Sequence, residues 1–232
     1  MAHELEKENA AHAALDFVED GMTLGLGTGS TAKFFVEMLA EEIADGLVVR
    51  GVPTSEQTRR QAESLGVPLV DVEQVDRIHL TVDGADEVDN QAQLIKGGGA
   101  ALLREKIIAN ASDLMIVVAD PSKQVETLGR FPLPVEVTPF GYTITAKKVY
   151  DALCHAGVLK PMIKVRTGLG HKPIVTDGGN YILDCQCGTI PDAPMAAARL
   201  AAVPGVVEHG LFIGLARTVI IGAEDGATIF EY

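Results

Sequence analysis

The run Leu114-Met115-Ile116-Val117-Val118-Ala119 constrains the fold more than any other feature of this chain. It reads as a strand and is nearly all apolar, without polar alternation. An uninterrupted apolar strand must be covered on both faces, which is the condition of a strand inside a parallel sheet flanked by helices. The segments before it supply the alternation such a sheet needs. Residues 4–18 read as a helix with Ala11, Ala14, Leu15 and Val18 on one face, and 22–26 as a strand. A helix marked by Phe34, Phe35, Met38, Leu39 and Ile43 follows, then strands at 47–52, near 69–72 and at 77–82. Between the first two of these, Thr54 and Gln57 read as the capping box of a polar helix ending at Gly66. The expected class is α/β: an open, mostly parallel Rossmann-like sheet with helices on both faces.

Pro132 and Pro134 announce a change. Strand 133–137, helix 142–156, strands 161–166 and 181–184, helix 194–202 and strand 205–209 give the order βαββαβ of a smaller ferredoxin-like α+β domain. The expected division is therefore residues 1–130 and 210–232 for a Rossmann-like catalytic domain and 131–209 for the inserted one. A last apolar strand at 218–221 should return to the first sheet.

Chemistry concentrates between residues 81 and 107. Asp83, Gly84, Ala85 and Asp86 fall at the carboxyl end of an alternating strand, where α/β proteins bind ligands. Lys96, Gly97, Gly98 and Gly99 precede a helical run, 100–110, in which Leu103 and Ile107 repeat at helical spacing. The glycines read as a helix entrance whose amides can crowd close to an oxyanion, with Lys96 adding a full charge. Glu105, on the first turns, is placed as a proton acceptor. Each element alone could be a plain turn, a flexible loop or a solvated ion pair; together they describe an acid–base site with an oxyanion hole. A calcium loop does not fit, because Asp83-x-x-Asp86-x-x-Asp89 lacks the required alternation, and no metal is expected.

A second anion site is legible at Gly25-Leu26-Gly27-Thr28-Gly29-Ser30-Thr31, a glycine loop between strand and helix. Gly27-x-Gly29-x-x-Ala32 also matches the dinucleotide fingerprint. The acid that would hold the ribose is missing, since the second strand ends in Pro53-Thr54-Ser55, so a phosphomonoester fits better than NAD. Lys123, just after Asp120-Pro121-Ser122, reaches the same edge as a candidate second positive charge.

Composition narrows the partners. A net charge of −13 and no clustered Lys/Arg argue against nucleic acid, and any phosphate site must make its own positive potential. No apolar run is long enough to cross a membrane, and the charged, alanine-rich start suggests the cytoplasm. Cys154, Cys185 and Cys187 read as reduced thiols, because Cys185-Gln-Cys187 has no partners for zinc. His79 sits on the polar alternation of a strand and reads as structural. No Ser-His-Asp or Cys-His arrangement supports covalent hydrolysis.

The blocks GLGTGST at 25–31, TVDGADEVD at 81–89, KGGGAALLREKI at 96–107 and ADPSKQV at 119–125 resemble the ribose-5-phosphate isomerase A family, with FPLPVEV and PGVVEHGLF extending the likeness over nearly the whole chain. The resemblance implies a phosphate loop on Thr28, Gly29, Ser30 and Thr31, and an acid turn on Asp83, Gly84, Ala85 and Asp86. It places a lysine–glycine loop on Lys96, Gly97, Gly98 and Gly99, the general base on Glu105, and further substrate contacts on Lys123 and Lys7. It also implies interconversion of D-ribose 5-phosphate and D-ribulose 5-phosphate, without cofactor or metal, in a homodimer or homotetramer. The rivals are a sugar-phosphate sensor, which would usually carry a helix-turn-helix not visible before Met22, and an amino-sugar-phosphate deaminase or coenzyme A transferase of similar fold.

Overall fold

The computed structural model describes residues 3–232. In chain order the first elements are α1 (Glu4–Leu15), β1 (Thr23–Leu26), α2 (Ser30–Ala44), β2 (Arg50–Pro53), α3 (Glu56–Ser64), β3 (Ile78–Gly84), β4 (Glu87–Val88), β5 (Leu94–Ile95), α4 (Leu102–Ala111) and β6 (Ser112–Ala119). Then come β7 (Leu133–Val137), α5 (Tyr142–His155), β8 (Met162–Val165), β9 (Tyr181–Gln186), α6 (Ala193–Ala201), β10 (Val206–His209), β11 (Leu211–Phe212), β12 (Ala216–Ala223) and β13 (Gly226–Glu231). Two compact units result. The larger runs up to Ala85 and takes in Arg104–Gln124 and Gly214–Tyr232; the smaller comprises Asp86–Leu103 and Val125–Ile213.

The larger unit is built on a six-stranded sheet in the order β13-β12-β6-β3-β1-β2, parallel throughout except for β13. The apolar run lies where its composition requires, in β6 between β12 and β3, with Met115 to Ala119 all buried. Leu24, Leu26, Leu80, Val82, Ile116 and Val118 pack with Ala10, Ala11 and Ala14 of α1 and Phe35, Val36 and Leu39 of α2. Val52 and Ile78 meet Ile108 of α4 in a separate cluster.

Several local expectations give way. Ser55, not Thr54, caps α3, its hydroxyl accepting from the Thr58 N–H at 3.0 Å, while Thr54 donates to the Leu26 carbonyl at 3.0 Å. Residues 69–72 do not form a strand: a single bridge joins Leu69 to Gly51, and a 3-10 turn over Val72–Gln74, capped by Asp71, follows. α1 stops at Leu15, and the strand expected to end at 82 continues through Asp83 and Gly84. The helix expected over 100–110 begins only at Leu102, because Ala100 has φ 60° and closes a turn onto Gly97. Its buried face is Leu102, Glu105, Ile108 and Ala109 rather than Leu103 and Ile107; Ile107 is 53% exposed. A second hairpin strand, β13, edges the sheet beyond the expected final strand.

The smaller unit has the expected βαββαβ order. Its four-stranded antiparallel sheet runs β10-β7-β9-β8, the fourth, first, third and second strands of the split βαβ arrangement. Val135, Val137 and Leu183 of the sheet pack with Val149 and Leu153 of α5 and Ala196 and Leu200 of α6. The unit extends beyond residues 131–209, because β5 pairs with β4 on one side and β11 on the other in a three-stranded sheet of their own, and Ile95, Leu128 and Leu211 join its core.

Candidate functional site

The larger unit gathers its candidate residues at the carboxyl edge of adjacent parallel strands. β1 ends beside β3, Leu26 pairing with Val82, and the chain turns at once through Gly27 into the loop 28–31. A Cβ on Gly27 would lie 2.4 Å from Asp83 Oδ1 and 2.5 Å from Asp83 Cα, so this glycine exists to let Asp83 pass. The Asp83 carboxylate is wholly buried, and its Oδ1 accepts from the Thr28 N–H at 3.0 Å and the Gly84 N–H at 2.7 Å. The acid thereby ties the end of β3 to the start of the anion loop.

Thr28 is turned inward by its hydroxyl as well. That hydroxyl donates to Ser55 Oγ at 2.8 Å, Ser55 donates to Thr58 at 3.1 Å, and Thr58 donates to the Gly27 carbonyl at 2.9 Å. All three hydroxyls are buried, and each hands its proton to the next until the chain closes on the loop's own backbone. With its N–H on Asp83 and its O–H on Ser55, Thr28 supports the loop, and the exposed donors are those of Gly29 and Ser30 at the start of α2. Thr31, in the first turn of α2, is 6% exposed.

The other candidates of this unit reach the same edge. Asp83 and Gly84 pair with Val117 and Val118 of β6; four residues past the end of β6 lies half-buried Lys123, on a 3-10 turn that buried Asp120 holds by accepting from Ser122 N at 3.0 Å. Lys7 belongs to the stretch of α1 packed on the carboxyl end of β12, where Gly222 admits the Glu6 carbonyl and Asn9 donates to Ala223 O at 2.7 Å. Glu105 is 2% exposed in the first turn of α4, which feeds directly into the amino end of β6, so its own amino end points back to the carboxyl edge. His79 proves structural, taking the Thr23 N–H on Nδ1 at 3.0 Å.

The smaller unit carries the rest. Half-buried Asp86 accepts the Gly98 N–H on Oδ2 at 2.7 Å. That amide, expected to serve a ligand oxyanion, is committed within the protein; Gly99 is exposed and half-buried Ala85 leads into Asp86. Lys96 is 2% exposed, with its N–H on the Gly210 carbonyl at 2.8 Å and its Nζ 5.5 Å above the Phe212 ring. Gly97 has φ 107°, a conformation closed to other residues. Sequence reasoning missed Arg166, whose Nη1 donates to the carbonyls of Gly97 at 2.9 Å and Gly98 at 3.0 Å. Nothing local to Arg166 signals this, since its partners lie far earlier in the chain. The cysteines are free; burial pushes the Cys185 thiol up and that of Cys187 to about 12, which suits inert core positions. Among the described residues, no helix is long and apolar enough to cross a membrane.

Known proteins share this fold. The family model described as ribose 5-phosphate isomerase A (phosphoriboisomerase A) matches residues 50–226. Ribose-5-phosphate isomerase A of Maricaulis maris (strain MCS10) is 61% identical over 227 residues, 97% of each chain. Its counterpart in Rhodopseudomonas palustris (strain TIE-1) is 55% identical over 231 residues, covering 100% of this chain and 99% of the other. Among solved structures, a D-ribose-5-phosphate isomerase in complex with phospho-erythronic acid superposes with a TM-score of 0.91 at 37% identity over 99% of both chains. Ribose 5-phosphate isomerase A from Methanocaldococcus jannaschii gives 0.90 at 36% over 100% of both. With the motifs, the strand order and full-length relatives in agreement, this chain belongs to the ribose 5-phosphate isomerase A family.

Proposed function

We propose that the chain carries out its family's aldose–ketose isomerisation, between D-ribose 5-phosphate and D-ribulose 5-phosphate, with Glu105 as the single base. The observation that carries this reading is the place of Glu105: a buried carboxylate in the first turn of a helix that starts at the ligand-binding edge of the sheet. On the open-chain aldose, Glu105 takes the proton from C2, and the bond's electron pair moves through the C1 carbonyl to give a cis-enediolate. The hydroxyl proton of O2 passes to O1, and Glu105 returns its proton to C1. Lys96 and the outward amide of the 97–99 loop meet the developing negative charge; donors fixed in advance need no reorganisation as it appears. Asp83 and Asp86 bind sugar hydroxyls and shuttle the proton that opens the furanose ring. Gly29, Ser30 and Thr31, with Lys7 and Lys123, hold the phosphate, whose binding energy positions the reacting carbons.

Asp83 and Asp86 are near neighbours in the chain, as are Gly99 and Glu105, so the members of each pair stay within about 10–20 Å of each other by covalent reach alone. Exposed apolar side chains on the smaller unit, among them Phe140, Ile144, Leu159 and Leu169, support assembly as a homodimer or homotetramer. The net charge of −13 supports a small-molecule substrate over nucleic acid. Every step is assigned to protein groups, so purified chain dialysed exhaustively against a chelator should convert ribose 5-phosphate to ketose at an undiminished rate. Activity that disappears on chelation and returns with a divalent cation would overturn the assignment.

A further inference from the structure

Arg166 has no place in the reading above, yet its side chain holds the backbone of the lysine–glycine loop. It follows the last residue of β8, and its own backbone is fixed on both sides, N–H to the Ile182 carbonyl at 2.7 Å and carbonyl from the Ile174 N–H at 3.0 Å. Nε donates to Asp184 Oδ2 at 2.9 Å and Nη2 to Asp184 Oδ1 at 2.5 Å, a fork that sets the guanidinium plane. Nη1 is then aimed at the carbonyls of Gly97 and Gly98 together. A trans peptide unit is planar, with its N–H opposite its C=O. Drawing the Gly97 carbonyl toward Arg166 therefore turns the Gly98 N–H away from it, and Asp86 is found there as acceptor. Drawing the Gly98 carbonyl the same way turns the Gly99 N–H to that side too. Two successive amides thus point to one side; Asp86 takes the first, and the exposed glycine leaves the approach to the second open.

We infer that Arg166 is a positioning residue for catalysis: locked by Asp184, it dictates through two carbonyls the direction of two successive amides, that of Gly98, which Asp86 holds, and that of Gly99, which faces the enediolate oxygens. The inference rests on the oxyanion role given to the 96–99 loop. Lysine cannot replace it, because one ammonium lacks the planar fork that spans a carboxylate and two carbonyls.

The test compares Arg166→Met, Arg166→Lys and Asp184→Asn with Lys96→Met in the full-length protein. Arg166→Met should lower kcat by about 10–100-fold, the cost of a misdirected group at a reacting centre, with KM for ribose 5-phosphate within about twofold. Arg166→Lys should behave likewise, and Asp184→Asn should show a smaller loss in the same direction. Phospho-erythronic acid, whose planar carboxylate imitates the enediolate oxygens, should inhibit Arg166→Met about 10-fold more weakly, whereas inorganic phosphate should compete as before. If Arg166→Met does not fold, Asp184→Asn decides by the same readouts. Retention of kcat within about twofold in the Arg166 and Asp184 variants, with Lys96→Met impaired, overturns this inference alone. Equal weakening of phospho-erythronic acid and phosphate overturns it as well, since a merely structural role predicts that result. A Lys96→Met variant with full kcat overturns the oxyanion reading and this inference with it.

Discussion

Replacing Glu105 by glutamine should lower kcat for ribose 5-phosphate by about 10²–10⁴-fold, the usual size of a general-base contribution, and leave KM nearly unchanged. The amide matches the carboxylate in shape and cannot take a proton from carbon. Because the side chain is 2% exposed on the buried face of α4 beside Ile108 and Ala109, an isosteric change is the one that separates chemistry from packing. Steady-state kinetics with a thermal melt of the same preparation check this: a folded variant with near-normal kcat would remove Glu105 from the mechanism.

Gly27→Ala should be the most damaging single methyl group in the anion loop. Its Cβ would sit 2.5 Å from the Cα of Asp83, and backbone on β3 cannot step aside as a flexible side chain can. Either β1 and β3 separate, breaking the Gly27 N–H to Val82 carbonyl bond of 2.9 Å, or Asp83 turns away from the Thr28 N–H. Overpacking of this kind costs about 1–3 kcal/mol, a fall in Tm of about 5 °C for a chain of this size. A loss of kcat/KM of about 10–100-fold should accompany it, because the phosphate loop and the acid that braces it shift together. Gly84→Ala is the control for stability, since its Cβ would meet nothing nearer than carbonyl oxygens at 3.9 Å. Equal melting temperatures for the two variants would contradict the steric account.

Gly27 also shows why a pattern can be legible while its cause is not. The spacing Gly27-x-Gly29-x-x-Ala32 imitates a dinucleotide loop, but the first glycine answers to an aspartate on the neighbouring strand. What could be read from sequence was what is encoded locally: the doubly covered β6, the βαββαβ order of the smaller unit, and the acid, glycine and lysine blocks at strand ends. What could not be read depends on partners distant in the chain. Ser55 takes the cap from Thr54 because the Leu26 carbonyl claims the Thr54 hydroxyl. The two-residue strands β4, β5 and β11 are too short to show any period and exist only as a set. The buried face of α4 cannot be found by periodicity, because Glu105, a charged residue, lies on it while Ile107 faces outward, the reverse of what hydrophobic periodicity assumes. Arg166 reads as an ordinary polar residue until Asp184 and the glycine loop are seen around it.

Running the isomerisation in D₂O and locating the label distinguishes a single carboxylate carrying one proton between adjacent carbons from any route with two proton donors. A proton held on Glu105 exchanges with solvent and is delivered to the same face of a cis-enediolate from which it came. Deuterium is expected at C1 of ribulose 5-phosphate in one configuration and, by reversal, at C2 of ribose 5-phosphate. Deuterium on both faces of C1 would contradict it, because two faces require more than one proton donor.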